Sequence, residues 1–143
     1  MKSRISFSRN QVMTITREAI AGNKLVYIAT ANKTVKYQNG KSRIVYIGQT
    51  ERGVKRIAES AAERAPNLLR DHGIKNLTFY AIKCTPIQKV KTWKKLEIAL
   101  LVTFREMYGE IPKLNKTHEK TPSHSKPDYF TEERLRKIIT KYQ

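Results

Sequence analysis

Leu25-Val26-Tyr27-Ile28 and Val45-Tyr46-Ile47-Gly48-Gln49-Thr50 decide how this chain folds. Both runs are rich in β-branched and aromatic residues, which suit a pleated, half-buried surface. Asn39-Gly40 lies between them and is a hairpin turn signal. Strands are therefore expected over residues 25–30 and 43–48, paired antiparallel. Two registers are open. A tight hairpin centred on Asn39-Gly40 sets Tyr46 opposite Lys33. A bulge or irregular segment around residues 31–36 instead brings Tyr46 beside Tyr27.

Working outward, Ser8 with Gln11 three residues on reads as a capping box. Val12, Ile15, Ala19 and Ile20 give the segment an apolar side, so a first helix is expected within residues 1–23. After the hairpin, Thr50 is a cap candidate, and Val54, Ile57, Ala58, Ala61 and Ala62 form an amphipathic stripe. Pro66 is expected to end that helix and to begin a short one through Leu69. Residues 77–84 read as a third strand. Residues 87–108 read as a long helix with the stripe Trp93, Leu96, Leu100, Leu101, Phe104 and Tyr108, closed by Gly109 and Pro112. Residues 116–128 are a polar linker. Thr131-Glu132-Glu133 opens a last helix whose apolar face is Leu135, Ile138 and Ile139. The expected fold is α/β of the α+β kind: a three-stranded, mainly antiparallel sheet flanked by helices. It comprises an added N-terminal helix (1–23), a core (24–116), and a basic linker with a C-terminal helical tail (117–143).

At 143 residues the chain suits one domain with a modest core. Lys and Arg outnumber Asp and Glu 29 to 12, a formal charge of +17. That surplus predicts attraction to polyanions, nucleic acid before an anionic membrane surface. No run approaches the roughly 18 apolar residues of a spanning helix. Met1-Lys2-Ser3-Arg4 is not followed by an apolar block, so no signal peptide is expected. A single cysteine, Cys84, excludes an internal disulfide and a thiolate zinc cluster, and points to a reducing, cytoplasmic setting.

Glu97 is the sharpest anomaly, a carboxylate inside an apolar stripe between Trp93 and Leu101. Such a group is costly to bury unless paired or bound to a cation. It reads either as a ligand for Mg²⁺, which takes few protein carboxylates, or as half of an ion pair. Arg56 reads as a phosphate-clamping guanidinium or as a solvated face beside Arg52 and Lys55. The Tyr27 and Tyr46 phenols are strand formers that could also orient or deprotonate water. A base role requires a cation to lower a pKa near ~10, with Lys24, Lys41, Arg43, Lys55 and Arg56 as candidates. Gly48 keeps side chains out of the site as strand passes to helix. Asn115 is a turn residue, or its amide brackets the Glu97 region. His72, His118 and His124 have no metal-ligand spacing.

Together these residues resemble the GIY-YIG nuclease family. Val26-Tyr27 stands where the first motif's Ile-Tyr would be, and Tyr46-Ile47-Gly48 matches the second. Arg56 follows Tyr46 by ten residues. Leu96-Glu97-Ile98-Ala99-Leu100-Leu101 and Pro112-Lys113-Leu114-Asn115 look like the glutamate helix and terminal asparagine. The resemblance spans about residues 24–116. It requires Tyr27 and Tyr46 to be neighbours, and so selects the irregular hairpin. Departures are Leu25 in place of a glycine, a longer link between the tyrosines, eighteen residues from Glu97 to Asn115, and Gln49 where some members carry lysine. The last leaves the general base open. The resemblance implies an endonuclease hydrolysing phosphodiester bonds in DNA, with RNA as a second partner. Its catalytic residues would be Tyr27, Tyr46, Arg56, Glu97 and Asn115, with Glu97 holding Mg²⁺ or Mn²⁺. Arg43, Arg52, Lys55, Lys113 and Lys116 are expected to contact backbone phosphates. With one site per chain, double-strand cleavage requires a homodimer or two sequential nicks. The alternative is a non-catalytic, basic nucleic-acid-binding module on the same fold.

Overall fold

The structure is a computed structural model that describes residues 1–115 and 129–143. Its elements run β1 (Leu25–Tyr37), β2 (Gly40–Thr50), α1 (Val54–His72), β3 (Leu77–Ile82), α2 (Thr92–Tyr108) and α3 (Glu132–Tyr142). The three strands form one antiparallel sheet in the order β2-β1-β3. This is the mixed α+β, three-stranded architecture expected from the sequence.

The sheet is covered on both faces. Val26 and Ile28 of β1, with Ile44 and Ile47 of β2, pack against Trp93, Leu96, Leu100 and Phe104 of α2 and Leu135 and Ile139 of α3. Leu25, Tyr27 and Ala29 point the other way, toward Ile57 and Leu68 of α1. The alternation along β1 is the period-2 geometry of a strand. The stripe expected on α2 is buried in full. At its end Gly109 adopts the left-handed conformation (φ 81°), which a residue without Cβ adopts at little cost. Its N–H closes onto the Arg105 carbonyl at 2.7 Å. The Asn39 N–H donates to the Tyr108 carbonyl (2.9 Å), tying the hairpin turn to the foot of α2. Helix α3 begins as expected, with Thr131 capping Arg134 N–H, and it completes the same core as α2.

Four expectations are corrected. Residues 1–23 form neither helix nor strand and are exposed, apart from a partly buried Ile20. A stripe of apolar residues yields a stable helix only when a surface covers it, and none covers Val12 or Ile15. Pro66 does not end α1, which continues to His72. An interior proline costs roughly 3 kcal/mol. Against this, continuation buries Leu68 and lets the N–H groups of Gly73 and Ile74 cap the Leu69 and Leu68 carbonyls. Thr50 does not cap α1; its hydroxyl accepts from the Arg52 N–H at 2.8 Å, and Gly53 holds the cap position. Finally, the buried face of α1 is turned relative to the alanine stripe: Ala58 and Ala62 are exposed, while Ile57, Ser60 and Leu68 are buried. Alanine methyls gain little from burial, so the larger Ile57 and Leu68 set the face.

Candidate active site

The hairpin is irregular where the neighbouring-tyrosine register required it. Near the turn Tyr37 pairs with Gly40 and Val35 with Ser42; further along, Thr30 pairs with Ile44 and Ala29 with Tyr46. Residues 31–34 thus stand against Arg43 alone, and Val45 is an extra residue between two pairs. This second bulge reverses the alternation of β2. Ile44 and Ile47 face α2, whereas Val45 and Tyr46 both face the α1 side. Re-aiming a side chain in this way is what a bulge does. It sets the Tyr46 ring 5.8 Å from the Tyr27 ring.

Side chains satisfy the backbone groups that the bulges release. The buried Tyr37 hydroxyl donates to the Ile44 carbonyl at 2.6 Å, and Ser42 Oγ accepts from the Ile44 N–H at 3.1 Å. Leu114 N–H donates to the Val45 carbonyl (3.0 Å). Asn115 then makes a two-point pair with Ile47: its Oδ1 accepts from Ile47 N–H at 3.0 Å, and its Nδ2 donates to the Ile47 carbonyl at 2.7 Å. Segment 114–115 thereby covers the open edge of β2. Both ends of the Asn115 amide hold Ile47, the residue between Tyr46 and Gly48. Asn115→Ala is expected to lose about 1–3 kcal/mol of stability by freeing two strand-edge groups, read as a lower urea midpoint. Asn115→Asp should be no better than the alanine variant, because its second oxygen would face the Ile47 carbonyl, acceptor against acceptor.

Gly48 does not sit at a strand-to-helix turn. It lies within β2, opposite Tyr27. A Cβ there would come within 2.6 Å of Tyr46 Cε1 and 2.8 Å of Tyr27 Cζ. The two rings meet over a position in this strand that has no side chain.

Burial pushes the Tyr46 phenol up to about 12; the adjacent Tyr27, its hydrogen bond and the charge of Glu97 add to the rise, while Arg64 opposes it. Tyr46 is therefore a neutral hydrogen-bond donor at physiological pH, and burial outweighs the cation that a base role would need. The sign of the pH dependence follows. The folded pKa lies above the unfolded value near ~10, so the stabilisation is complete below that pH and is lost as pH rises toward about 12. Burial moves Tyr37 in the same direction. Urea midpoints are expected to hold steady to about pH 9.5 and to fall above it. The fall should be shallower in Tyr46→Phe; an equal slope would remove this account.

The cation at Tyr46 is not one of the five expected. The Arg64 guanidinium lies 4.0 Å from the Tyr46 ring centroid, and its Nη1 donates to Ser60 Oγ (2.7 Å) and to the Ser60 carbonyl (3.3 Å). A signal for Arg64 was present: it follows Ile57 by seven residues and Ser60 by four, and precedes Leu68 by four, so all four share one helix face. Arg56 lies on α1 between carboxylates, 3.7 Å from Glu59 and 3.5 Å from Glu63.

Glu97 is buried on α2, 9% exposed, and is the one charged residue in the buried set among the described residues. Its charge is the least of the causes that raise the Tyr46 phenol, and its helix packs on the sheet face opposite the one that carries Tyr27 and Tyr46. One turn earlier, the Trp93 indole donates to Gln49 Oε1 at 3.1 Å, and Lys24 Nζ lies 4.7 Å from the Trp93 ring. Gln49 thus joins β2 to α2 beside the site. Among the described residues no three His, Cys, Asp or Glu side chains cluster as a metal cage. A bound cation would rest on the Glu97 carboxylate, with water and substrate oxygens completing its shell. That donor set fits Mg²⁺ or Mn²⁺, hard ions that accept a single protein carboxylate.

Arg43, Arg52, Lys55 and Lys113 are exposed. Arg52 pairs with Glu59 at 2.9 Å and Lys113 with Glu110, which leaves Arg43 and Lys55 without an ion pair among the described residues. Lys116, His118 and His124 lie outside the described residues. No described helix is long and apolar enough to cross a membrane. Comparison with known proteins gave no matching family model, no matching curated protein and no matching solved structure.

Proposed function

We propose that the chain is a divalent-metal-dependent endonuclease of the GIY-YIG kind that hydrolyses phosphodiester bonds in DNA. One observation carries the reading: a bulge and a missing side chain bring Tyr27 and Tyr46 together, and the helix packed on the same sheet carries a buried carboxylate, Glu97. A core needs none of these three irregularities. A site for a charged, oxygen-rich substrate accounts for them together, and the charge of +17 suits a phosphate-bearing partner.

The Tyr46 phenol, protonated at neutral pH, would donate a hydrogen bond to a phosphate oxygen or hold the attacking water in line. Tyr27, hydrogen-bonded to it, fixes its direction. An arginine of α1 would offset charge that builds on the phosphorus in the transition state. A Mg²⁺ or Mn²⁺ held by Glu97 would polarise the phosphate and stabilise the departing 3′ oxygen. The water oxygen bonds to phosphorus as the P–O3′ bond breaks. The departing oxygen gains a proton, leaving 5′-phosphate and 3′-hydroxyl ends. Since Tyr46 is held neutral, the proton of the attacking water passes to solvent or to a substrate oxygen rather than to this phenol.

Conversion of supercoiled plasmid to open circles tests the proposal. Nicking with Mg²⁺ that stops in EDTA supports it, and no nicking under any divalent cation refutes it. A non-catalytic binder on the same fold is the second reading, favoured by the full engagement of the Asn115 amide and the neutral Tyr46. It requires duplex binding that is indifferent to EDTA, with no cleavage.

A further inference from the structure

Resting on that reading of the site, we infer that Arg64, rather than Arg56, presents the guanidinium to the scissile phosphate, with Tyr46 beneath it as a platform. Two arginines on one helix compete for this role, and their surroundings differ. Arg56 is held between Glu59 and Glu63, at 3.7 and 3.5 Å. Two carboxylates offset its charge and would have to be displaced before it met a phosphate. Among the described residues Arg64 pairs with one carboxylate, Glu63 at 3.7 Å, which it shares with Arg56.

Arg64 is also oriented. The guanidinium lies 4.0 Å over the Tyr46 ring, an arrangement that favours arginine over the more strongly hydrated, non-planar lysine ammonium. Ser60, fully buried, accepts from Nη1 at 2.7 Å and fixes the rotation of the plane. The bonds Arg64 makes to described residues all use Nη1. The Nε and Nη2 donors remain for a ligand, and they form the edge that binds two oxygens of a phosphate side by side. With 18% of its side-chain surface exposed, Arg64 is sheltered enough for its charge to count, yet reachable.

The same contact explains why Ser60 is buried in place of the alanines of α1. A serine on that face is the acceptor that aims the arginine. A phosphate bound by Nε and Nη2 of Arg64 would meet a guanidinium already held over the Tyr46 ring.

The test has two independent readouts on the full chain. The first is the salt dependence of binding to a short DNA duplex in EDTA, where the slope of log K against log salt counts phosphate contacts. Arg64→Ala is expected to reduce that slope by about one contact, and Arg56→Ala by less. The second is plasmid nicking with Mg²⁺. Arg64→Ala is expected to lower kcat about 10²-fold or more, with KM within about threefold. Arg64→Lys should recover the salt slope but not kcat, because it keeps the charge and loses the fork. If Arg56→Ala removes the contact and the activity while Arg64→Ala keeps both, the assignment is overturned and the nuclease reading stands. If wild type never nicks, the nuclease reading falls, and the salt slopes alone decide whether Arg64 meets phosphate. A circular dichroism spectrum and urea midpoint like those of wild type establish that each variant is folded.

Discussion

Glu97→Gln is expected to reduce plasmid nicking by about 10³-fold or more, because it removes the carboxylate through which a hard cation would be held. Duplex affinity in EDTA should be equal to wild type or tighter, since a negative charge is gone. The substitution keeps volume and shape, so packing against Trp93 and Leu101 is retained. The urea midpoint separates a chemical effect from a structural one. If the glutamine variant nicks at the wild-type rate, Glu97 is a buried structural acid and metal-dependent catalysis must rest elsewhere. A wild-type enzyme in EDTA should fall to the same floor as the variant in Mg²⁺. The two losses should not add, because they remove the same interaction.

Gly48→Ala has the second largest expected effect, for steric rather than electrostatic reasons. The new methyl would stand 2.6 Å from Tyr46 Cε1 and 2.8 Å from Tyr27 Cζ. Tyr27 is 1% exposed and has no room to yield, and a shift of the half-buried Tyr46 would disturb its contacts with Arg64 and Tyr27. Overpacking of this kind costs about 1–3 kcal/mol, visible as a lower urea midpoint. The accompanying shift of both phenols is expected to lower nicking about 10²-fold, the usual result of displacing a reacting group by an ångström. Gly48→Ser should behave alike, since the obstacle is the Cβ atom. Full activity in either variant would show that the paired rings take no part in the chemistry.

Much of the arrangement was legible in residue order. Trp93, Leu96, Leu100 and Phe104 recur at helical spacing, and each is buried on α2. Thr131 capped α3 where it was expected, because a hydroxyl before two acidic residues is a local signal that needs no tertiary context. The hairpin register was also open to argument, but only through the demand that two tyrosines meet. No local rule located the extra residue at Val45. That bulge persists because distant groups satisfy its backbone: Tyr37 on Ile44, Leu114 on Val45 and Asn115 on Ile47.

The misreadings share a cause. Val12, Ile15, Ala19 and Ile20 have the period of a helix, but period is only a tendency until another surface buries the stripe. On α1 the alanines suggested one face, whereas Ile57 and Leu68, with more surface to bury, turned the helix to another. Arg64 and Ser60 moved inward with that rotation, and Arg56 was left among its carboxylates.

The residue order by itself determined the strands, the helix α2 from Thr92 onward though not the turn it expected before it, the helix α3, the strong positive charge and the out-of-place acid at position 97. These follow from alternation, periodicity, capping and composition, all of which act over a few neighbouring residues. Only the tertiary structure decided which phenol faces which, which arginine lies over the ring, and that the Asn115 amide holds a strand edge. Those outcomes depend on packing and on backbone hydrogen bonds closed between segments as far apart as Ile47 and Asn115, a distance over which sequence spacing carries no geometric information.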